Sequence, residues 1–329
     1  MARRYVIKRQ MFKRIVVTGS LAYDHIMSMP GNFGDHIMPD KIHILNVSFI
    51  MQTFRKEFGG TAGNISYSLG LLGVPTLIIA SAGDDFQDYL EHLKMIKNLD
   101  VTGIRVFKDI PTAQGFVTTD RNDNQIWGFY EGAMKKNRAI FLTKFLKNGD
   151  FVVISPNDPV ATIKFVKESI QHNIPYLFDP AFNIPHLTKE DLEFSVKNAS
   201  IVIGNDYEIE LVKRRLDLRN LPQTNQIWIT TLGSRGSIIK MGKKDWEIPP
   251  AKPKSVIDPT GAGDAYRAGF LSGFVRDLPL GACGRLGSLT AAYTVEKHGT
   301  QTHRFGVKEF KDRFKINFGA ESIEGGLSI

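Results

Sequence analysis

Residues 258–270 read DPTGAGDAYRAGF. Three small residues, Gly261, Ala262 and Gly263, stand between Asp258 and Asp264, and a helix-compatible stretch follows. Gly261 and Gly263 lack a Cβ, so their amides can approach an anion closely. A helix that begins near Gly263 aims its free N–H groups and the positive end of its dipole at the same point. The pattern is an anion hole with the Asp264 carboxylate in the first helical turn. The dipole alone also favours an acidic side chain there, so a plain Gly-rich turn entering a helix is the competing reading.

The flanking sequence alternates between strand-like and helix-like runs. RIVVTGS (14–20), TLIIASAG (76–83), FVVISP (151–156), PYLFDP (175–180), ASIVIGN (199–205), QIWITTLG (226–233) and GSIIKM (236–241) are short apolar, β-branched runs ending in turn residues, as buried strands are. Helical spacing is expected between them: after Gly59–Gly60, over 85–99, and near 159–173, 188–196 and 206–216. From Gly261 onward helices dominate, at 263–275, 280–297 and 307–314. This is βαβ logic, which predicts an α/β fold with one mainly parallel sheet and helices on both faces. Residues 22–58 lack a long helix, and 104–132 alternate apolar residues around an RNDN turn. These two segments are expected to form a small β-sheet lid over the carboxyl ends of the main strands, where such folds bind ligands.

Bulk properties narrow the function. The chain has 329 residues, 42% of them hydrophobic and 23% charged, as in an ordinary globular protein. No apolar run approaches the roughly 18 residues of a membrane helix. The single Cys283 allows no internal disulfide and no cysteine-based zinc site, which fits a reducing, cytoplasmic setting. The net charge is +8, but Arg3, Arg4, Lys8, Arg9, Lys13 and Arg14 carry most of it. The body is therefore not a basic nucleic-acid binder. Residues 1–11 read as an N-terminal tail ahead of a domain over 12–329. The phosphate-binding P-loop, the dinucleotide fingerprint, G-x-S-x-G, H-E-x-x-H and C-x-x-C are absent. His25, His36 and His43 are too irregularly spaced to suggest a metal site.

DPTGAGDAYRAGF resembles the D-[TP]-x-G-A-G-D signature of the ribokinase-like (PfkB-type) sugar and nucleoside kinases. The resemblance implies the three-layer α/β/α sandwich with a β-sheet lid. It implies that the Gly261, Ala262 and Gly263 amides hold the transferring phosphoryl group and that Asp264 is the base. A carboxylate of ordinary pKa, near ~4, is a weak base, so Asp264 is expected to orient the attacking hydroxyl and act late. Other segments match the family in order. FGGTAGNISYSLGLLG implies that Gly59, Gly60 and Asn64 touch substrate hydroxyls. GSLAYDHI implies that Asp24 holds two sugar hydroxyls. GNDYEIEL resembles the N-x-x-E motif. Asn205 and Glu208 then lie on one helix face, with Asn205 on the nucleotide side and Glu208 serving Mg2+ through water. TTLGSRGS implies that Thr231, Gly233 and Gly236 border ATP. Some members hold potassium beside the signature loop, which makes Asp258 a candidate monovalent-cation residue and K+ a candidate cofactor. Pro259 departs from the threonine that many relatives carry; it removes an N–H beside the anion hole.

Within the family, FGDHIMPDKIHILNVSF, DNQIWGFYEGAM and VEKHGTQTHRF look closest to a bacterial branch called adenosine kinase. Thr61 stands where ribokinases tend to carry lysine. The lid segments are rich in aromatics, and Phe116 and Phe129 could offer a purine its stacking face, or pack the lid's inner face. The implied reaction is transfer of the ATP γ-phosphoryl group to the 5′-hydroxyl of adenosine. A sugar kinase of ribokinase or fructokinase type is the alternative, and a non-catalytic nucleoside-binding protein is a third. Lid pairing in some relatives makes either a monomer or a homodimer the expected state.

Overall fold

The computed structural model describes residues 12–122, 124–219 and 225–319. The expected tail, residues 1–11, lies outside the described residues. Thirteen strands and eight α-helices follow one another along the chain among the described residues. In order they are β1 (Arg14–Thr18), β2 (Ala22–Ser28), β3 (Thr53–Gly59), α1 (Thr61–Leu71), β4 (Thr76–Ala82), α2 (Gln87–Lys94), β5 (Leu99–Val106), β6 (Ala113–Thr119) and β7 (Gln125–Tyr130). Then come β8 (Asp150–Ile154), α3 (Pro159–Gln171), β9 (Tyr176–Phe178), α4 (Lys189–Asn198), β10 (Ile201–Asn205), α5 (Asp206–Arg215) and β11 (Ile227–Thr231). The chain closes with β12 (Ser237–Met241), β13 (Lys244–Ile248), α6 (Ala262–Phe274), α7 (Leu280–Val295) and α8 (Val307–Phe318).

The main sheet has nine strands in the order β13-β12-β11-β10-β9-β8-β1-β4-β5. All neighbours from β11 to β5 pair in parallel, and β12 and β13 extend one edge antiparallel. Alternate residues of each central strand enter different cores, as a pleated strand buried on both faces requires. Ile15, Val17, Ile201 and Ile203 join a core with α1, α2, α6, α7 and α8. Val16, Val152 and Val202 join another with α3, α4 and α5. The result is the ribokinase-like three-layer architecture. Among the described residues, no helix is long and apolar enough to cross a membrane.

The second sheet runs β3-β2-β6-β7 and joins the two distant insertions. Two expectations need correction here. The helix expected over 85–99 ends at Lys94, because Asn98 takes a left-handed backbone (φ 63°) and turns the chain into β5. Leu99 therefore opens a strand. The lid segment expected over 104–132 begins later: residues 104–106 belong to β5, the edge of the main sheet, and only β6 and β7 enter the lid. A half-buried edge strand alternates just as a lid strand does, so periodicity did not separate them. The sequence reading also missed β13. Its polar KDWEI hides an edge strand reached through the turn at Gly242 (φ 64°).

Candidate active site

Helix α6 starts where its glycines permit. Gly261 caps it with φ 78°, and a Cβ there would lie 2.8 Å from the Thr300 side chain. Both the left-handed backbone and the contact exclude larger residues. The Ala262 amide donates to the Pro259 carbonyl at 3.2 Å. The amides of Gly261, Gly263 and Asp264 bond no group among the described residues, as expected of a first helical turn. Asp258 braces the loop: its carboxylate accepts from the amides of Thr260 (2.9 Å) and Gly299 (3.1 Å).

Asp264 is partly buried by surface area and closely surrounded by protein atoms. Loss of water pushes its carboxyl up to about 6. Arg267 and a hydrogen bond from Asn64 work against that rise, and Asp179 and Glu208 add to it. The expectation of an ordinary carboxylate is therefore corrected, because burial makes Asp264 a stronger base. Asn64 Nδ2 donates to Asp264 Oδ2 at 2.9 Å.

Asp24 lies on β2, 8% exposed, in a cradle of two glycines. A Cβ on Gly59 would come within 2.1 Å of its carboxylate and one on Gly115 within 2.6 Å. Gly60 takes φ 84°, and a Cβ there would meet the Ala22 and Ser20 backbone at 2.6 Å. The glycine pair thus shapes the entry to α1, as well as opening space beside Asp24. Burial pushes Asp24 up to about 7, helped by the negative charges of Asp264, Asp258 and Glu57.

The register of the lid separates its aromatics. Glu57, Asp24, Gly115 and Phe129 are successive cross-strand partners, so Phe129 shares the face of Asp24. Lys56, His25, Phe116 and Gly128 form the next row, on the opposite face. There Phe116 stacks on His25 with ring centroids 4.8 Å apart. Phe116 is therefore corrected as a base-stacking residue: it points away from Asp24. Trp127, unassigned by sequence reasoning, stands on the Asp24 face two positions from Phe129 and within 3.3 Å of where a Gly115 Cβ would be.

On the other side of Asp264, a cavity of about 510 Å³ is bordered by Thr231, Gly233, Gly236 and Gly263. Those residues were expected to border ATP, and the structure brings them together next to the anion hole. Asn205 and Glu208 form a reciprocal cap. The Asn205 side chain accepts from the Glu208 amide and the Glu208 carboxylate accepts from the Asn205 amide, each at 2.8 Å. Asn205 is exposed and does not line the cavity. Burial raises Glu208, with Asp179 adding to the rise and Arg267 opposing it.

Sequence reasoning missed Asp179, Arg267, Thr300 and Gln301. Arg267 stands within the quoted signature stretch itself, and a cation one turn after a buried acid was the available signal. Thr300 and Gln301 lie in the quoted stretch VEKHGTQTHRF, which marked a resemblance without assigning roles, and Asp179 lies in PYLFDP, which was read only as a strand.

Comparison with known proteins gives the family and the fold. The model of the pfkB family of carbohydrate kinases matches residues 13–304. The nucleoside kinase of Methanocaldococcus jannaschii is 32% identical over 295 residues, 88% of this chain and 93% of that protein. The structure of Burkholderia thailandensis nucleoside kinase in complex with inosine superposes with a TM-score of 0.85 at 33% identity, covering 93% of this chain and 98% of that one. A Thermotoga maritima ribokinase shares the fold, with a TM-score of 0.73 at 19% identity over 92% of this chain and 100% of that one.

Proposed function

Because this chain belongs to the pfkB family of carbohydrate kinases and is a phosphotransferase acting on a hydroxyl group, we propose that it transfers the γ-phosphoryl group of ATP to the 5′-hydroxyl of a nucleoside, adenosine giving AMP. One observation carries the reading. Asp264 sits at the free amides of α6, with the Asp24 cradle on one side and the cavity of about 510 Å³ on the other.

In this reading the nucleoside lies under the lid. Asp24 accepts hydrogen bonds from its ribose hydroxyls, and Phe129 with Trp127 offers the base an apolar face. The nucleotide fills the cavity bordered by Thr231, Gly233 and Gly236. The Gly261 and Gly263 amides face the γ-phosphoryl group and neutralise charge as it transfers, while the Ala262 amide, expected to join them, is held by the Pro259 carbonyl. Asp264 accepts the proton of the attacking hydroxyl. A buried carboxyl pushed up to about 6 is better matched to that task near neutral pH than an exposed one. A bound Mg2+ would supply charge neutralisation for the phosphates. The Glu208 oxygen left free by the helix cap suits a magnesium ion that keeps its waters. Asp258, its carboxylate committed to two backbone amides, would shape a monovalent-cation site rather than fill it.

Nucleosides are favoured over free sugars by the aromatic pair on the Asp24 face and by the likeness to nucleoside kinases over most of the chain. The test is Mg-ATP turnover with adenosine, inosine, ribose and fructose. Turnover of adenosine and inosine is expected. Turnover of the free sugars alone would overturn the substrate while leaving the family intact.

A further inference from the structure

A buried hydrogen-bond network reaches Asp264 from the segment after α7. Asn64 turns its NH2 group to Asp264, so its carbonyl must face the other way. There Asn64 Oδ1 accepts from Gln301 Nε2 at 2.9 Å and from the Thr300 hydroxyl at 2.6 Å. The Thr300 hydroxyl has one proton, and the Phe58 carbonyl lies 2.7 Å away as a second acceptor. Gln301 has two: the other goes to the Tyr89 hydroxyl, which donates to the Gly59 carbonyl at 2.7 Å. Gln301 Oε1 is buried, and the Gln301 side chain also interacts with His92, favouring the charged form of that ring against burial and Arg304. The two donations set the orientation of this amide, and the contact with His92 agrees with it.

We propose that Gln301, supported by Thr300, is the positioning residue for the base: it locks the Asn64 amide with its NH2 group toward Asp264. A reversed Asn64 amide would bring carbonyl lone pairs against the carboxylate, an arrangement compatible only with protonated Asp264. Gln301 acts through Asn64. Its donors hold the carbonyl, and that leaves the N–H to stabilise the ionised base. The other charged groups acting on this carboxyl are Arg267 on its own helix, Asp179 beyond β9, Glu208 on α5 and Asp24 on β2. None of them bonds Gln301 among the described residues.

The proposal rests on Asp264 being the base, but its first test needs no substrate. Asp264 is titrated by NMR in protein carrying 13C at the aspartate carboxyls, its signal identified by its loss in Asp264→Asn. Gln301→Met should raise the midpoint by roughly one to two pH units, the worth of one hydrogen bond to a charged group. Tyr89→Phe keeps the Gln301–Asn64 bond and should leave the midpoint in place. An unmoved midpoint in Gln301→Met overturns the proposal, as does an equal rise in Tyr89→Phe. If Gln301→Met does not fold, the near-isosteric Gln301→Glu replaces it; an ionised carboxylate only accepts, so the rise should be at least as large, and no rise overturns the proposal. In turnover, the acid limb of kcat should move with the midpoint while the KM for ATP stays put. Gln301→Met should add no further loss of kcat in an Asn64→Ala background, and additive losses count against the proposal. A parent protein that phosphorylates no nucleoside speaks against the proposed function alone, because the titration still decides the role of Gln301.

Discussion

Asp179 and Arg267 form a buried ion pair one helical turn beyond Asp264. Arg267 Nε lies 2.6 Å from Asp179 Oδ2, and its Nη2 donates to Oδ1 at 2.9 Å. Nη1 donates to the Gly263 carbonyl at 2.9 Å. One guanidinium thus ties the end of β9 to the backbone of the anion hole. Removing one partner of a buried pair leaves an uncompensated charge, at about 3–5 kcal/mol. Asp179→Asn is predicted to lower Tm by on the order of 5–10 °C. A melting curve matching the parent's would show that the pair does not brace the site.

Asp264→Asn keeps the shape of the site and removes the proton acceptor. Loss of a positioned base typically costs about 10²–10⁴-fold, so kcat should fall by that order. Thermal-shift binding of ATP and nucleoside should persist. In the parent, the carboxyl pushed up to about 6 must be ionised to act, so kcat should decline as pH drops below about 6. Near-parental turnover in the variant would remove Asp264 as the base.

Asp24 gives a stability signature. Its carboxyl is pushed up to about 7 by burial first, then by Asp264, Asp258 and Glu57. The folded chain therefore holds this proton more tightly than the unfolded chain, whose value is near ~4. The associated stability is complete below about pH 4 and is lost as pH rises through about 7. Asparagine has no such proton to lose. The Tm of Asp24→Asn minus that of the parent should climb from pH 4 to 7 and level off above. A difference that stays flat across this range would refute the assignment.

The two lid phenylalanines should behave differently. Stacking a base on an aromatic ring is worth about 1–3 kcal/mol, so Phe129→Ala should raise the nucleoside KM roughly 5- to 150-fold. Phe116 faces the other way and stacks on His25; Phe116→Ala should leave that KM within about twofold. Equal effects in steady-state kinetics would contradict the lid register.

Gly261→Ala tests the turn. The left-handed backbone costs a residue with a Cβ about 1–2 kcal/mol, and the added atom would stand 2.8 Å from Thr300. Stability should drop by at least that amount in urea denaturation, with kcat falling as the amides shift. Parental stability would mean that the loop relaxes freely.

Much of the architecture was legible in the chain. Central strands such as RIVVT and IVIGN are buried on both faces and read as continuous apolar runs. The edge strands β5 and β13 were not, because half-exposed edges carry polar residues and lose that signal. In the site, Asp24, Gly59, Asn64 and Asp264 each sit in a motif with a distinctive local pattern. Gln301, in the quoted stretch VEKHGTQTHRF, and Asp179 show no local pattern that assigns a role; each matters through a partner far away in sequence, Asn64 for one and Arg267 for the other.

DPTGAGDAYRAGF by itself determined the turn that opens α6, since the left-handed backbone at Gly261 and its close approach to Thr300 need glycine. Tertiary structure alone decided the character of Asp264. Its raised pKa comes from burial, and its orientation comes from Asn64, held in turn by Thr300 and Gln301. Pairing register likewise decided that Phe129 and not Phe116 shares the face of Asp24. A local motif sets backbone geometry, whereas charge state and facing depend on what the rest of the chain packs against it.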